Sequence, residues 1–226
     1  MPTALLQLEL LLSEGTVDLA GLASTIRNDV GLSVELLRMA ATGIDGCSHQ
    51  VLAVSDLIVL AGLDRIRAMA ERCVALSHNP KDNARFAGCQ RFWMHSQLTA
   101  HVAEELANQF ADITKQEAFF AGLFYQLSAI PIHLGWDFAA SPTRELGEFV
   151  YELATQWHLP PVLADVIRGH RELCRSPKSR ALLDLAGVAS TWAYRLEFLA
   201  ARESETIRAA NPPYIYRFPL ERRSLP

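Results

Sequence analysis

The chain has no apolar run near the roughly 18–20 residues that span a bilayer, so it carries no candidate transmembrane helix. It has no positive excess either. The 21 Lys and Arg face 25 Asp and Glu, a net charge of −4, whereas nucleic-acid-binding domains are as a rule basic. The four cysteines, Cys47, Cys73, Cys89 and Cys174, include no close pair. That excludes a zinc spacing and a dense disulfide framework, and it suits reduced thiols in a cytoplasm. No hairpin turn joins two alternating apolar runs, and no strand pair is predicted. Internal repeats and low-complexity tracts are absent. Lysine is scarce, with 3 residues against 18 arginines, a bias that genome composition alone can produce. The opening "MPTALLQLELLLSEG" has Leu5, Leu6, Leu8, Leu10, Leu11 and Leu12 but no basic residue, and Glu9 interrupts it. It reads as an amphipathic helix packed on the body, not as a signal peptide or a membrane-surface helix.

What remains is helix. Half of the 226 residues are hydrophobic and a fifth charged, the balance of a soluble globular chain of one large or two small domains. Asp18 is placed to cap a helix from Leu19 to about Asn28, and Ser33 precedes "VELLRMAA". "VSDLIVLAGLDRIRAMAERCVAL" predicts two helices broken at Gly62, a left-handed C′ residue, with Asp64 capping the second. Residues 77–88 are the most polar stretch and read as a linker. Beyond it, His95, Leu98, Val102, Leu106 and Phe110 form one stripe. "TKQE", Thr114 to Glu117, fits a capping box. Ser141-Pro142, Ser176-Pro177 and Pro160-Pro161 each open a helix. Leu182, Leu185, Ala189, Trp192, Leu196 and Leu199 predict a long buried stripe. The fold class is all-α, a helical bundle. Its expected parts are an N-terminal helical subdomain over 1–78, a second helical half over 79–210, and an extended Pro-rich tail over 211–226.

Within "AGLFYQLSAI", Tyr125 and Gln126 interrupt an apolar run, and helical periodicity puts Gln126 on the face of Phe119, Leu123, Leu127 and Ile130. His170 and Cys174 are four apart, a spacing that serves a metal or a Cys-His nucleophile if a third partner exists. Arg168, Arg171 and Arg175 make a basic stripe, a solvent face or a site for an acidic partner. Arg65, Arg67, Arg72, Arg85 and Arg91 read as a salt-bridged face before a phosphate site. Tyr214, Tyr216 and Phe218, spaced by two, show their rings on one side of an extended tail and offer a second partner-binding element.

Several segments in order resemble the HDOD family, the HD-related output domains of bacterial signalling proteins. "LASTIRNDVGLSVELLRMA" is similar to the family's helix, Asp-Pro and "LLRxA" pattern, with Val30 where the proline usually stands. "VLAVSDLIVLAGLDRIRAMA" is the most specific match. "FWMHSQLTAHVAEELA", "EAFFAGLFYQLSAI", "WHLPPVLADVIRGH" and "LLDLAGVAS" match later helices. The resemblance implies an HD-like second half. In the wider HD phosphohydrolase superfamily a histidine, a His-Asp pair and a late aspartate bind metal ions, and the metal-activated water attacks a phosphate ester. Carried over, the first histidine is His95, the His-Asp pair falls on Tyr125-Gln126, and the late aspartate falls on Ala186-Gly187. His170 stands where two-histidine members have their pair, with Arg171 following.

A tyrosine and a neutral amide cannot balance a divalent cation, and Gly187 offers no side chain. The expectation is a degenerate site with no catalytic residue, no metal and no cofactor. The chain is then a cytoplasmic regulatory domain that binds a signalling protein partner or a nucleotide signal such as a cyclic dinucleotide, with no nucleic-acid or membrane partner. The alternative is a metal-dependent phosphohydrolase with an atypical ligand set, drawn from His95, His133, His170 and an acid such as Asp137 or Asp165. A helix pair around Gly62 acting as a nucleic-acid reader is the weaker third reading, opposed by the acidic charge.

Overall fold

Leu5, Leu8 and Leu12 fall on one side of the first helix, α1 (Thr3–Ser13), and are buried there. The computed structural model describes residues 3–13, 17–43, 51, 53–75, 83–129, 143–203 and 216–217. α2 (Leu19–Arg27) starts at Asp18, whose carboxylate accepts from the Gly21 N–H at 3.0 Å. α3 (Val30–Gly43) starts earlier than the Ser33 reading placed it. Its cap is Asp29, which accepts from the Leu32 N–H at 2.9 Å, while the Ser33 hydroxyl donates to the Ile26 carbonyl at 3.0 Å. Val30 therefore sits in the first helical turn, where a proline loses nothing by lacking an N–H. α4 (Val54–Ala61) and α5 (Leu63–Arg72) meet at Gly62, with φ 82 and ψ 152. That is glycine's own region, not the left-handed helical one expected. Asp64 lies in the first turn of α5 and pairs with Arg67 instead of capping it.

Asp29 is buried, and it also receives the indole N–H of Trp93 at 3.4 Å. Burial is the main cause that pushes its carboxyl up from 3.8 to about 7, against the hydrogen bonds from Leu32, Trp93 and Gly31. The folded chain holds this proton to about pH 7, and the unfolded chain releases it from about 3.8. Stability therefore falls as pH rises through that window and is level on either side. An Asp29→Asn variant keeps the volume and one acceptor but has nothing to titrate. Its stability relative to the parent should rise by roughly 3 kcal/mol between pH 4.5 and 8, read by urea unfolding at both pH values. A difference that does not change with pH refutes the buried proton.

The polar stretch read as a linker is helix in its second half. α6 (Asn83–Leu106) begins inside it and continues in a 3₁₀ turn at Ala107–Gln109. Its buried residues are Phe92, Trp93, His95, Ser96, Thr99, Ala100 and Ala103, continued by Ala107, so of the predicted His95–Phe110 stripe only His95 is buried. Leu98, Val102 and Leu106 are half-buried and Phe110 is exposed. α7 (Lys115–Phe124) carries the predicted capping box, with the Thr114 N–H donating to Glu117 at 2.9 Å and the Glu117 N–H to Thr114 Oγ1 at 3.2 Å. Every residue from Ala118 to Phe124 is buried. α7 thus has no single apolar face, as befits a helix enclosed on all sides. It ends before Gln126, and a 3₁₀ turn at Leu127–Ala129 follows.

α8 (Thr143–Gln156), α9 (Pro161–Arg168) and α10 (Pro177–Glu203) complete the second half. The Ser176 hydroxyl accepts from the Ser179 N–H at 3.0 Å and Pro177 opens α10, as its sequence predicts. α6, α7 and α10 pack together, and α9 lies against α7, α8 and α10. Between the halves, Arg27 of α2 pairs with Glu104 of α6 and stacks over Phe119 of α7 at 3.8 Å. The predicted buried stripe of α10 holds only for Leu182, Leu185 and Ala189. Trp192, Leu196 and Leu199 are exposed. One strand pair does form, β1 (Val74–Ala75) antiparallel to β2 (Tyr216–Arg217), with Val74 opposite Arg217. Two residues are too short to leave a period-2 pattern, and the class is all-α.

Candidate functional site

α6, the turn after α7, and α10 bring polar side chains together at the edge of the core, with His95 and Ser190 buried and Tyr194 and Glu197 reaching the surface. His95 of α6 is 3% exposed. Its Nδ1 lies 3.0 Å from Glu197 Oε1 and its Nε2 lies 2.9 Å from Ser190 Oγ, both on α10. The carboxylate only accepts, so Nδ1 carries the proton. In the neutral ring Nε2 then accepts from the Ser190 hydroxyl. Gln126, in the turn after α7, donates its amide to Ser190 Oγ at 3.5 Å and to the Tyr194 hydroxyl at 3.2 Å. The Tyr194 ring stacks on the His95 ring, with centroids 3.9 Å apart and planes at 30°. The result is a directed chain, Gln126 to Ser190 to His95 to Glu197, with an aromatic lid.

Tyr125 and Gly187 meet beside this chain. A Cβ on Gly187 would stand 3.1 Å from the Tyr125 hydroxyl, so the tyrosine occupies the space that a side chain at 187 needs.

A divalent cation held by protein groups needs several imidazole or carboxylate donors on one centre. Here the Nε2 lone pair of His95 is committed to Ser190, Gln126 and Ser190 are neutral, and Gly187 has no donor. Glu197 is the one carboxylate in the cluster, and it is bonded to the far ring nitrogen. The residues at these positions do not fit a catalytic metal ion. Among the described residues no group of three or more His, Cys, Asp and Glu is placed to hold one.

The remaining candidates stand apart from that cluster. α9 stops at Gly169, left-handed at φ 74, and His170 follows it in extended conformation. His170 and Cys174 therefore flank a 3₁₀ turn and do not share a helical face. The Cys174 thiol bonds the His170 carbonyl at 3.6 Å. Burial first, then Asp165, pushes that thiol's pKa up, away from nucleophilic thiolate character. The same helix stop dissolves the arginine stripe. Arg168 forks onto Glu148 at 2.7 Å, Arg171 pairs with Asp184, and Arg175 bonds the buried Asp165 at 2.9 Å. Asp165 is thereby engaged as an ion-pair partner. Arg67 bonds Asp64 and the Leu12 carbonyl. Tyr216 stands in β2. His133, Asp137, Tyr214 and Phe218 lie outside the described residues, as does the side chain of Arg85.

Sequence reasoning missed Ser190, Tyr194 and Glu197. Their signal was present as i, i+4, i+7, one polar face of α10. It was hidden by following the apolar residues of the same helix.

Fold and site together define an all-α module of two helical halves, with His95, Ser190, Gln126 and Glu197 bonded to one another in the second. A family model for the HDOD domain matches residues 1–134, more than half of the 226-residue chain, and the chain belongs to that family. Among solved structures it is similar to the MmoQ response regulator of Methylococcus capsulatus str. Bath, at 21% identity over 89% of this chain and 91% of that one, with a TM-score of 0.66. A second structure of MmoQ, fragment 20–298, gives 20% identity over 88% of each chain and a TM-score of 0.61. These likenesses show the fold. An HDOD domain protein of unknown function from Geobacter sulfurreducens aligns at 16% identity over 85% of this chain and 71% of that one, with a TM-score of 0.34. No curated protein matches. Among the described residues no helix is long and apolar enough to cross a membrane.

Proposed function

We propose that the chain is a non-catalytic regulatory module of bacterial cytoplasmic signalling that acts by binding a protein partner. One observation carries this reading. The imidazole nitrogen that a metal would take is bonded to Ser190, inside a cluster that satisfies its own polar groups. A site that generates hydroxide needs an open coordination position on a charged centre, and this donor set supplies neither. The fold likeness to a protein named a response regulator agrees with a role in signalling. A protein partner is favoured over a cyclic dinucleotide, because Arg168, Arg171 and Arg175 each already face a carboxylate, which weakens their pull on a phosphate.

The test is metal content and turnover of the full chain purified from medium supplemented with iron, manganese and zinc. Substoichiometric metal is expected, with no hydrolysis of an aryl phosphodiester above buffer and no heat on titration with a cyclic dinucleotide. One metal per chain, lost in His95→Ala together with phosphodiesterase activity, overturns the reading in favour of the atypical phosphohydrolase.

A further inference from the structure

The second half of α10 is apolar on two sides and covered on one. Ala186, Ala189 and Ala193 face the core, whereas Val188, Trp192, Leu196, Phe198 and Leu199 are between 43 and 63% exposed. A helix apolar around its circumference is ordinarily enclosed. On the open side Val188, Trp192, Arg195 and Leu199 recur at 4-3-4 spacing, the spacing of a seam between two packed helices.

We propose that this face is covered by α10 of a second copy, running antiparallel, in a two-fold dimer. The seam is complementary to itself. With the axis between Ala193 and Tyr194, Val188 of one copy meets Leu199 of the other, and Trp192 meets Arg195. A parallel pairing instead sets Arg195 against Arg195. The guanidinium is already poised for an indole, since Arg195 lies over the Trp192 ring of its own chain at 5.5 Å. Beside the projecting Trp192 is a hollow of about 360 Å³ lined by Tyr194, Arg195, Phe198 and Leu199. The hollow is shallow and open, and only its Arg195–Leu199 edge borders the seam, so the self-complementarity an isologous contact requires rests on the seam residues themselves. Trp192, the largest exposed side chain of the seam, is its expected centre of binding energy.

The size of the patch also suits a second copy. The exposed parts of the seam residues Val188, Trp192, Arg195 and Leu199 amount to roughly 400 Å², about half of the ~800 Å² per subunit of a standard stable interface, which suits a weak, reversible dimer. The expected dissociation constant is on the order of micromolar. The dimer does not depend on whether the His95 cluster is catalytic.

Sedimentation velocity of the full chain from about 1 to 200 µM brackets that constant. A reversible dimer is expected. Trp192→Ala and Leu199→Glu should each weaken it tenfold or more, with unchanged helical circular dichroism and melting temperature, because both side chains are exposed. Val59→Glu, on the exposed face of α4, should leave it intact. A chain that stays monomeric across the range overturns the proposal, as does a dimer that survives both α10 substitutions.

Discussion

Gly122→Val is expected to destabilise the chain by 4 kcal/mol or more, and Gly122→Ala by about 2. A Cβ at this position would lie 2.8 Å from both Ala100 Cα and the Thr99 carbonyl oxygen. Those are backbone atoms of α6, and backbone cannot step aside as a side-chain tip can. α6 and α7 must move apart, and the loss spreads along a buried face made of small residues, Ser96, Thr99, Ala100 and Ala103. Alanine's better helix propensity returns at most ~1 kcal/mol. Against a total stability of roughly 5–15 kcal/mol, the valine variant should lose most of its margin. Gln126 lies one turn beyond Gly122, so the same displacement draws its amide away from Ser190 and Tyr194. Urea unfolding gives the stability change directly. A neutral Gly122→Ala would remove the close approach of the two helices from the account.

Trp93→Ala is expected to cost about 3–5 kcal/mol. The indole is 1% exposed, meets Phe92 edge-on at a centroid distance of 5.4 Å, and donates to Asp29. Packing and hydrogen bond separate with a second variant. Trp93→Phe keeps most of the ring volume and loses only the long N–H contact, for which about 1 kcal/mol is expected. If both variants lose the same amount, the hydrogen bond and not the packing dominates. Because Trp93 belongs to α6 and Asp29 caps α3, the alanine variant also loosens the seam between the two halves. That should show as faster amide exchange in the first turn of α3.

Much of this architecture was legible in the sequence because capping is local chemistry. Asp18, Thr114 with Glu117, and Ser176 before Pro177 each announce a helix start within four residues. Asp29 was passed over in favour of Ser33, since both are capping types and only the fold decides which side chain turns inward. The core face of α6 was misjudged for a different reason. Hydrophobicity ranks leucine above alanine, but where α6 packs closely on α7 it buries Thr99, Ala100 and Ala103 and leaves Leu98, Val102 and Leu106 at the rim, while its large buried rings, Phe92 and Trp93, lie nearer its start.

The site divides in the same way. That His95, Gln126 and the Gly187 region converge follows from helix order, which a resemblance carries. The hydrogen-bond chain through Ser190 and the stacking of Tyr194 depend on rotamers and on the crossing of α6 over α10, which a linear pattern does not encode. The arginines of 168–175 looked like an open basic stripe because their carboxylate partners, Glu148, Asp165 and Asp184, are brought to them by other parts of the chain. The exposed end of α10 could not be read at all, since a stripe that seals a core and a stripe that awaits a second surface have the same periodicity.

Tyr125 standing over Gly187 couples two positions that are 62 residues apart. A side chain at 187 needs the phenol to give way by a few tenths of an ångström, so what position 187 tolerates is set by the residue at 125. Substitutions at the two positions should therefore depart from additivity, with the larger side chain at 187 best accepted beside a smaller one at 125.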